Sequence, residues 1–339
     1  MFQLYISQPF SSGTVDLSKV NRLLIIRLSS LGDILLTLPL IRSIKKQYHD
    51  IKIDFLAREE YKDTLLYNPY INELLTFKHG DNSVLFNRIK EKQYGLVLDL
   101  QNNLRSARIA GMVSAPKYKF IKRRVDKILL VNFKIDRLKS APPVPVRYAE
   151  TLPGFKLDNN GLELFIPEEK TSRLKGDNYI ALCPGSRHFT KMWPEEYFVK
   201  LGNMLVSNGY RVILLGGSSD REACGRISRA VTASVDLSGD NDLLQIATDM
   251  KECRLVICND SGLMHAACAV NIPVVVFFGS TVSPFGFAPY KNKNLILENN
   301  SLTCRPCSHI GRGKCPRKHF RCMLDITPEI ALNGIKSLL

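Results

Sequence analysis

The sequence predicts an α/β protein of two similar halves, each a parallel sheet with helices on both faces. The clearest observation is a pair of short apolar runs, residues 255–258 and 274–278, which flank about one helix of mostly small residues. This pattern is typical of a parallel strand–helix–strand unit. The same alternation recurs along the chain, whose 339 residues are enough for two domains. We therefore expect a ligand cleft between the halves.

The first half opens on an apolar run, followed by a polar turn and a helical pattern. Pro39 lies inside that pattern and is expected to kink or restart the helix, because proline cannot donate the helical hydrogen bond. Strands are predicted at residues 22–27, 51–57 and 94–100, and helices at residues 34–47 and 104–112.

A proline-rich and polar region is expected to join the halves. Residues 141–147, APPVPVR, hold too many prolines for the interior of an element. Residues 158–175 are mostly polar around one predicted short strand. These features predict a boundary between residues 150 and 176, which divides the chain into domains at 1–160 and 161–339.

The second half repeats the alternation, and its last helix is a candidate to cross back to the first domain. Strands are predicted at residues 179–183, 211–215, 255–258 and 274–278, and helices at residues 194–208, 220–230, 243–250, 265–269 and 327–339.

The charge of the chain indicates which kinds of binding partner to expect. The chain has 47 Lys and Arg against 32 Asp and Glu, a net charge of +15, which favours nucleic acid, an acidic membrane surface or an acidic substrate. A nucleic-acid-binding protein is thus an alternative, although no binding motif supports it. The chain lacks a membrane-spanning apolar run, and its first 20 residues do not resemble a signal peptide, so a cytoplasmic location is expected.

Three predicted strands of the second half end in polar turns: PGSR at 184–187, GGSS at 216–219 and NDSG at 259–262. Backbone N–H groups at such turns can bind a diphosphate, and the alternative is that each is only a tight turn. The fingerprints GxGxxG and GxxxxGK[ST] are absent, which argues against a standard dinucleotide oxidoreductase and a P-loop ATPase.

Two charged residues lie at turns of this kind: Asp33 at a strand-to-helix turn of the first half, and Lys191 close behind the PGSR turn of the second. Asp33 is either a general base toward a hydroxyl or a helix cap, and its spacing alone favours the cap. Lys191 either neutralises a phosphate or is a surface lysine, which is the commoner case. Trp193, the only tryptophan, is expected to pack in the core.

These segments resemble glycosyltransferase family 9, the lipopolysaccharide heptosyltransferases. The similar segments are SSLGDILLTLP at 29–39, PGSRHFTKMWPEEYF at 184–198 and CNDSGLMHAACAVNIPVVVFFGSTVSP at 258–284. The resemblance implies a GT-B fold of two Rossmann-like domains, with an acceptor-binding domain at 1–160 and a nucleotide-sugar-binding domain at 161–339. It also implies an inverting, metal-independent transfer from ADP-L-glycero-D-manno-heptose to the lipid A–core acceptor without a cofactor. A family-9 enzyme with another nucleotide sugar or a polysaccharide acceptor is the alternative.

The resemblance also implies roles for individual residues. It favours Asp33 as the catalytic base over a mere cap, and Lys191 as the lysine that contacts phosphate. The family's acidic residue that contacts the nucleotide ribose is matched more weakly, by either Asp220 or Glu222, and we predict Glu222. The remaining donor-site residues are Gly185, Ser186, Asp260, Ser261, Gly262 and His265.

A basic stretch at residues 117–147 holds ten Lys and Arg, opposed only by Asp126 and Asp136. Its middle interleaves apolar residues with cations, which suits an anionic membrane surface or a phosphorylated lipid acceptor. The alternative is a solvated loop whose apolar residues pack on the first domain. Lys122, Arg123 and Arg124 are the candidate contacts, and the protein is expected to be peripheral at the inner face of the inner membrane.

Nine cysteines in a chain without an export signal are expected to be reduced, and five lie in or beside apolar segments as core residues. The other four, Cys304, Cys307, Cys315 and Cys322, either form a zinc knuckle or are free thiols. The second pair lacks the close spacing that makes a zinc prediction strong.

Overall fold

A computed structural model of the chain describes residues 15–239 and 241–339. Most of the N-terminal segment considered above for a signal peptide lies outside these ranges. The described residues form two doubly wound α/β halves, each with a fully parallel sheet, as predicted.

The first half contains a five-stranded sheet in the order β3-β2-β1-β4-β5. Its strands are β1 (Arg22–Ile26), β2 (Lys52–Arg58), β3 (Glu73–Phe77), β4 (Leu96–Asp99) and β5 (Lys117–Lys119). Its helices are α1 (Leu31–Leu35), α2 (Leu38–Gln47), α3 (Ser83–Glu91), α4 (Leu104–Ala110), α5 (Arg124–Ile128), which a π-helical turn at Leu129–Phe133 continues, and α6 (Val144–Ala149).

The second half contains a six-stranded sheet in the order β11-β10-β9-β6-β7-β8. Its strands are β6 (Tyr179–Cys183), β7 (Arg211–Leu214), β8 (Val235–Asp236), β9 (Cys253–Asn259), β10 (Val274–Phe278) and β11 (Asn294–Glu298). Its helices are α7 (Glu195–Ser207), α8 (Arg221–Ala230), α9 (Leu243–Lys251), α10 (Gly262–Ala269), α11 (Arg321–Leu324) and α12 (Pro328–Lys336).

Short 3₁₀ turns occur in both halves, at Leu17–Lys19, Glu59–Thr64, Phe189–Lys191, Ser218–Asp220 and Ser283–Phe285.

Proline begins a helix at both of the positions considered above. Pro39 restarts the helix, as expected, and lies in the first turn of α2, where its missing N–H costs nothing. The prediction that residues 141–147 form no element is wrong. α6 begins at Val144 with Pro145 in its first turn, so proline again starts a helix rather than interrupting one.

The segment between the sheets contains no strand at residues 158–175, so that prediction is also wrong. The segment is held by side chains instead. Arg42 of α2 donates two 2.8 Å hydrogen bonds to Asp158, whose pKa this contact lowers to about 2. At its other end, Arg173 donates to Asp249 of α9 at 2.8 Å. The boundary at residue 160 stays a prediction.

α12 packs on α7 and β11 of its own half, so the expectation that it crosses back to the first domain is wrong. Ala331 and Ile335 of α12 join the core around Trp193 and Phe198. A separate cluster of buried apolar side chains includes Ile34 of α1 and other residues from both halves. The halves therefore contact each other closely.

Candidate functional site

A cleft of about 1300 Å³ lies between the two sheets. Its walls are turns that follow the strands, because the carboxyl ends of parallel strands meet at one edge of a sheet. Most of the predicted site residues are brought together here. The cleft-lining residues that concern the site are Arg27, Gly32, Asp33, Lys122, Lys127, Gly185, Ser186, Lys191, Asp220, Asp260, Ser261, Gly262 and His265.

Asp33 lies in the first turn of α1, and it is both a capping residue and part of the cleft. The backbone N–H and the hydroxyl of Ser30 donate to its Oδ2, at 3.1 and 2.8 Å. Nη2 of Arg27 lies 2.5 Å from Oδ1. Burial opposes ionisation, but the attraction of Arg27 and the hydrogen bonds from Ser30 outweigh it, so the pKa of Asp33 lies below its ordinary value. The carboxylate stays ionised at neutral pH.

Sequence reasoning missed Arg27, which ends an apolar run. Its Nη1 donates to the carbonyl of Leu100 at 2.6 Å, and its guanidinium lies 5.7 Å from the ring centre of Tyr148. The Tyr148 hydroxyl is buried and lies beside the Asp33 carboxylate. Burial raises the pKa of this phenol, so Tyr148 is neutral.

The turn after β6 lies against an acidic residue of the next turn. The Asp220 carboxylate occupies the space that a side chain at Gly185 would need, so position 185 requires glycine. Burial raises the pKa of Asp220, and the N–H of Gly217 donates to it at 3.1 Å. Glu222, the predicted ribose contact, does not line the cleft, because its side chain is 93% exposed on α8. Asp220 lines the cleft instead, so the preference for Glu222 over Asp220 is wrong.

Lys191 is not a surface residue, because its Nζ lies 2.7 Å from Oδ2 of Asp260 inside the cleft. The Thr281 hydroxyl donates to the same oxygen at 2.7 Å. Trp193 packs in the core as predicted. Its backbone N–H donates to Oδ1 of Asn259 at 2.9 Å. The side-chain amide of Asn259 in turn donates to the Pro184 carbonyl at 2.6 Å, which ties the lysine segment to the turn after β6.

The N-terminus of α10 carries two buried polar atoms, Oγ of Ser261 and Nδ1 of His265, that find no partner in the described part of the chain. His265 is only 3% exposed. Burial lowers the pKa of its imidazole to about 4, so the ring is neutral at physiological pH. Unpaired buried polar atoms beside free helical N–H groups suit a polar, anionic ligand.

The basic stretch divides between the cleft and the surface. Lys122 and Lys127 line the cleft, and no carboxylate of the described residues forms an ion pair with either one. Burial and then nearby Arg147 lower the pKa of Lys127 to about 8. Lys127 also lies 5.8 Å from the ring centre of Phe287. Two cations without counter-ions in a cleft suit an anionic ligand.

Arg123 and Arg124 lie outside the lining of the cleft. Around them the stretch exposes large apolar side chains. Lys134, further along the stretch, donates to the carbonyls of Cys304 and Pro306 in the second half, at 3.2 and 2.7 Å. None of the helices in the described ranges has the length and hydrophobicity of a transmembrane segment. The exposed apolar residues of the stretch are Ile121, Val125, Ile128, Phe133 and Ile135.

The cysteines give no support to the zinc interpretation. Within residues 15–239 and 241–339, no three His, Cys, Asp or Glu side chains are arranged to hold a metal ion. Sγ of Cys304 lies 3.8 Å from Nε2 of His319, and all nine cysteines are free thiols. The five predicted core cysteines, Cys183, Cys224, Cys253, Cys258 and Cys268, are buried.

Comparison with known proteins gives consistent matches. The sequence pattern of glycosyltransferase family 9 (heptosyltransferase) matches residues 83–315. Lipooligosaccharide heptosyltransferase 2 of Haemophilus influenzae is 28% identical over 94% of this chain and 99% of its own. Among solved structures, a family 9 glycosyl transferase of Veillonella parvula matches with a TM-score of 0.77 and 22% identity, over 97% of this chain and 99% of that one. The E. coli ADP-heptose LPS heptosyltransferase II matches with a TM-score of 0.73 and 22% identity, over 94% and 98%. These structures confirm the predicted GT-B fold.

Proposed function

This chain belongs to glycosyltransferase family 9, the heptosyltransferase family, and from that premise we propose that it transfers heptose from ADP-L-glycero-D-manno-heptose to the lipopolysaccharide inner core. The names of the H. influenzae and E. coli proteins support this donor and acceptor. The observation that carries the proposal is the cleft shared by the halves. A partly buried carboxylate of the first half, Asp33, and a partly buried lysine of the second, Lys191, both line it.

The second half suits an ADP-sugar. The positive end of α10 and Lys191 attract a diphosphate, and the unpaired Ser261 hydroxyl and His265 imidazole can bind phosphate or sugar oxygens. The turn at Gly185 and Ser186 adds backbone N–H groups. Asp220 suits the ribose, because a carboxylate can accept hydrogen bonds from both hydroxyls of a diol.

In the proposed reaction, Asp33 accepts the proton of an acceptor hydroxyl as that oxygen attacks the anomeric carbon. Attack comes from the face opposite the diphosphate, so the new C–O bond forms as the bond to the phosphate oxygen breaks, and the configuration inverts. ADP leaves with the bonding electrons. Lys191 and the N-terminus of α10 stabilise the charge that develops on ADP, so in this proposal protein groups supply the positive charge.

The first half suits an anionic acceptor at a membrane. Lys122 and Lys127 are assigned to a carboxylate or phosphate of the lipid A–core acceptor, because both are cleft cations without counter-ions. Arg123 and Arg124, beside exposed apolar side chains, are assigned to an anionic lipid surface. The proposal locates the enzyme at the cytoplasmic face of the inner membrane as a peripheral protein.

Direct transfer tests the proposal. The purified chain is mixed with ADP-heptose and a heptose-deficient lipopolysaccharide, and the product is analysed by mass spectrometry and NMR. Addition of one heptose with inverted anomeric configuration supports the proposal. Transfer from a different nucleotide sugar alone would favour the alternative donor. Binding of an oligonucleotide that ADP does not displace, without any transfer, would favour the nucleic-acid alternative.

A further inference from the structure

Arg27 is a buried arginine in the wall of the cleft that the mechanism above does not use. It directly follows β1 and is 7% exposed. Its Nη1 donates to the Leu100 carbonyl at 2.6 Å, just beyond β4, while its Nη2 lies 2.5 Å from Oδ1 of Asp33. The guanidinium is therefore held between the ends of two adjacent strands and the candidate base.

The two oxygens of the Asp33 carboxylate have different partners. Oδ2 accepts two hydrogen bonds from Ser30. Oδ1 has the ion pair with Arg27, and the hydroxyl of Tyr148 also lies beside the carboxylate. A carboxylate oxygen has two lone pairs, so the ion pair leaves Oδ1 able to accept a hydrogen bond from the hydroxyl of an acceptor.

Several other groups surround Asp33, but of the described residues only Arg27 forms an ion pair with it. Tyr148 is a neutral phenol, and His265 is a neutral imidazole because burial lowers its pKa to about 4. The two cleft lysines act at longer range. The charged and titratable groups around the pair are Tyr148 of α6, Lys122 and Lys127 after β5, His265 of α10 and Asp99 of β4.

We propose that Arg27 is a positioning residue of the transfer reaction, which holds Asp33 as an anion and orients Oδ1 toward the acceptor hydroxyl. The inference rests on the proposed function. Without Arg27, the buried carboxylate loses its ion-pair partner and takes up a proton closer to neutral pH. A protonated Asp33 cannot accept the proton of the hydroxyl.

Heptosyl transfer by the full chain is measured across pH for wild type, Arg27→Met and Arg27→Lys. We expect Arg27→Met to lose about 10-fold or more in kcat at neutral pH and to regain part of it at higher pH. The acid limb of its kcat/KM profile should move upward by about one pH unit or more. KM for the ADP-sugar should stay unchanged, since the donor residues belong to the second half. Arg27→Lys keeps the charge and should bring the limb back toward wild type.

Tyr61→Phe is the matched control, because it removes a phenol hydroxyl from the same cleft without changing any charge. Tyr61 interacts with Glu60 rather than with Asp33, so the acid limb of this variant should not move. ADP affinity and thermal melting report whether each variant folds. If Arg27→Met does not fold, Arg27→Gln replaces it, since glutamine can still donate to Leu100. An equal loss of activity at every pH would show that Arg27 is only structural, and the inference would be overturned.

Failure of the proposed function is a separate outcome. If the wild-type chain transfers no heptose, the pKa of the Asp33 carboxyl is measured by ¹³C NMR in wild type and in the arginine variants. A higher pKa in Arg27→Met than in wild type supports the inference without any activity measurement. Equal pKa values in the two proteins overturn it.

Discussion

Gly32 and His265 touch across the interface between the two halves, because a methyl group on Gly32 would lie 2.6 Å from Cδ2 of the imidazole. The reverse contact is equally close, since a methyl group on Gly262 of α10 would lie 2.7 Å from Cδ2 of Leu31 of α1. Both glycines lie in the first turns of the helices that carry Asp33 and the donor turn. They are needed for the close approach of α1 to α10 rather than for an unusual backbone angle.

Gly32→Ala should therefore separate α1 from α10. Overpacking of this kind costs about 1–3 kcal/mol, and His265 is buried and cannot move aside easily. We expect kcat to fall because Asp33 moves with α1, while ADP still binds the second half. Steady-state kinetics and calorimetry of ADP binding check this. Gly313→Ala is the control, because a methyl group there meets no atom within 4 Å. Equal kcat for the two variants would refute the steric argument.

Asp33→Asn should keep the fold and the affinity for ADP but lose about 100- to 10,000-fold in turnover. Asparagine has the same shape, so the volume of the side chain is kept while the proton-accepting carboxylate and its charge are removed. Asp63→Asn is a matched control, since Asp63 lines the same cleft in the same half and has no assigned role. If Asp33→Asn turns over at the rate of Asp63→Asn, Asp33 is only a helix cap.

Lys191→Ala should weaken donor binding, turnover or both, by about 10- to 100-fold, because a charged partner of the diphosphate is lost. Lys200→Ala, on the exposed face of α7, should leave both unchanged. Isothermal titration with ADP and transfer kinetics measure the two effects. Wild-type activity should also survive EDTA. A strict magnesium requirement would contradict the charge stabilisation assigned to Lys191.

The acceptor kinetics should depend on the protonation of Lys127. Burial lowers the pKa of this lysine to about 8, so the ammonium is charged below that pH and neutral above it. We expect kcat/KM for an anionic acceptor to fall as the pH rises through about 8. Lys127→Arg should remove this dependence, because arginine stays charged. Lys139 lies outside the cleft, so the control variant Lys139→Arg should retain the pH dependence. An unchanged pH profile in Lys127→Arg would exclude a role for Lys127 in acceptor binding.

The exposed side of the basic stretch should bind anionic lipid. Arg123→Gln combined with Arg124→Gln removes two cations, each worth about 1 kcal/mol at an acidic surface, so vesicle binding should weaken by about 30-fold. Phe133→Ser, which removes a side chain that is 65% exposed, should weaken it further. Val84→Ser is the control, because Val84 is 80% exposed on α3, away from the stretch. Sedimentation with phosphatidylglycerol vesicles at low salt measures the effect, and unchanged binding would leave the stretch without a membrane role.

The sequence predicted the central strands and missed the strands at the sheet edges. β6 and β10 are buried at every residue, so each is an uninterrupted apolar run. β3, β5, β8 and β11 each pair with a neighbour on one side only, and β8 is exposed at both residues. Polar residues are tolerated there, which removes the apolar signal. The linker was misjudged for a related reason, because its buried leucines, Leu162 and Leu164, lie in irregular chain held by side chains.

The site residues that could be predicted are those that lie in a turn with a recognisable sequence motif. Asp33 and Lys191 stand in segments with a recognisable pattern, although the pattern alone favoured a cap and a surface lysine. Arg27 was not predictable, because its contacts come from β4 and α1 through the tertiary fold. The choice between Asp220 and Glu222 depended on where α8 begins. The helix starts at Arg221, so Asp220 still belongs to the turn that enters the cleft.

The hydrogen bonds of Lys134 to the loop at residues 304–306 connect the two halves mechanically. The segment that carries Lys127 belongs to the first half by sequence but is held against the second. If donor binding displaces that loop, the displacement reaches the lysine proposed for the acceptor. Thermodynamic linkage would then be reciprocal: whatever factor the donor adds to acceptor affinity, the acceptor adds to donor affinity.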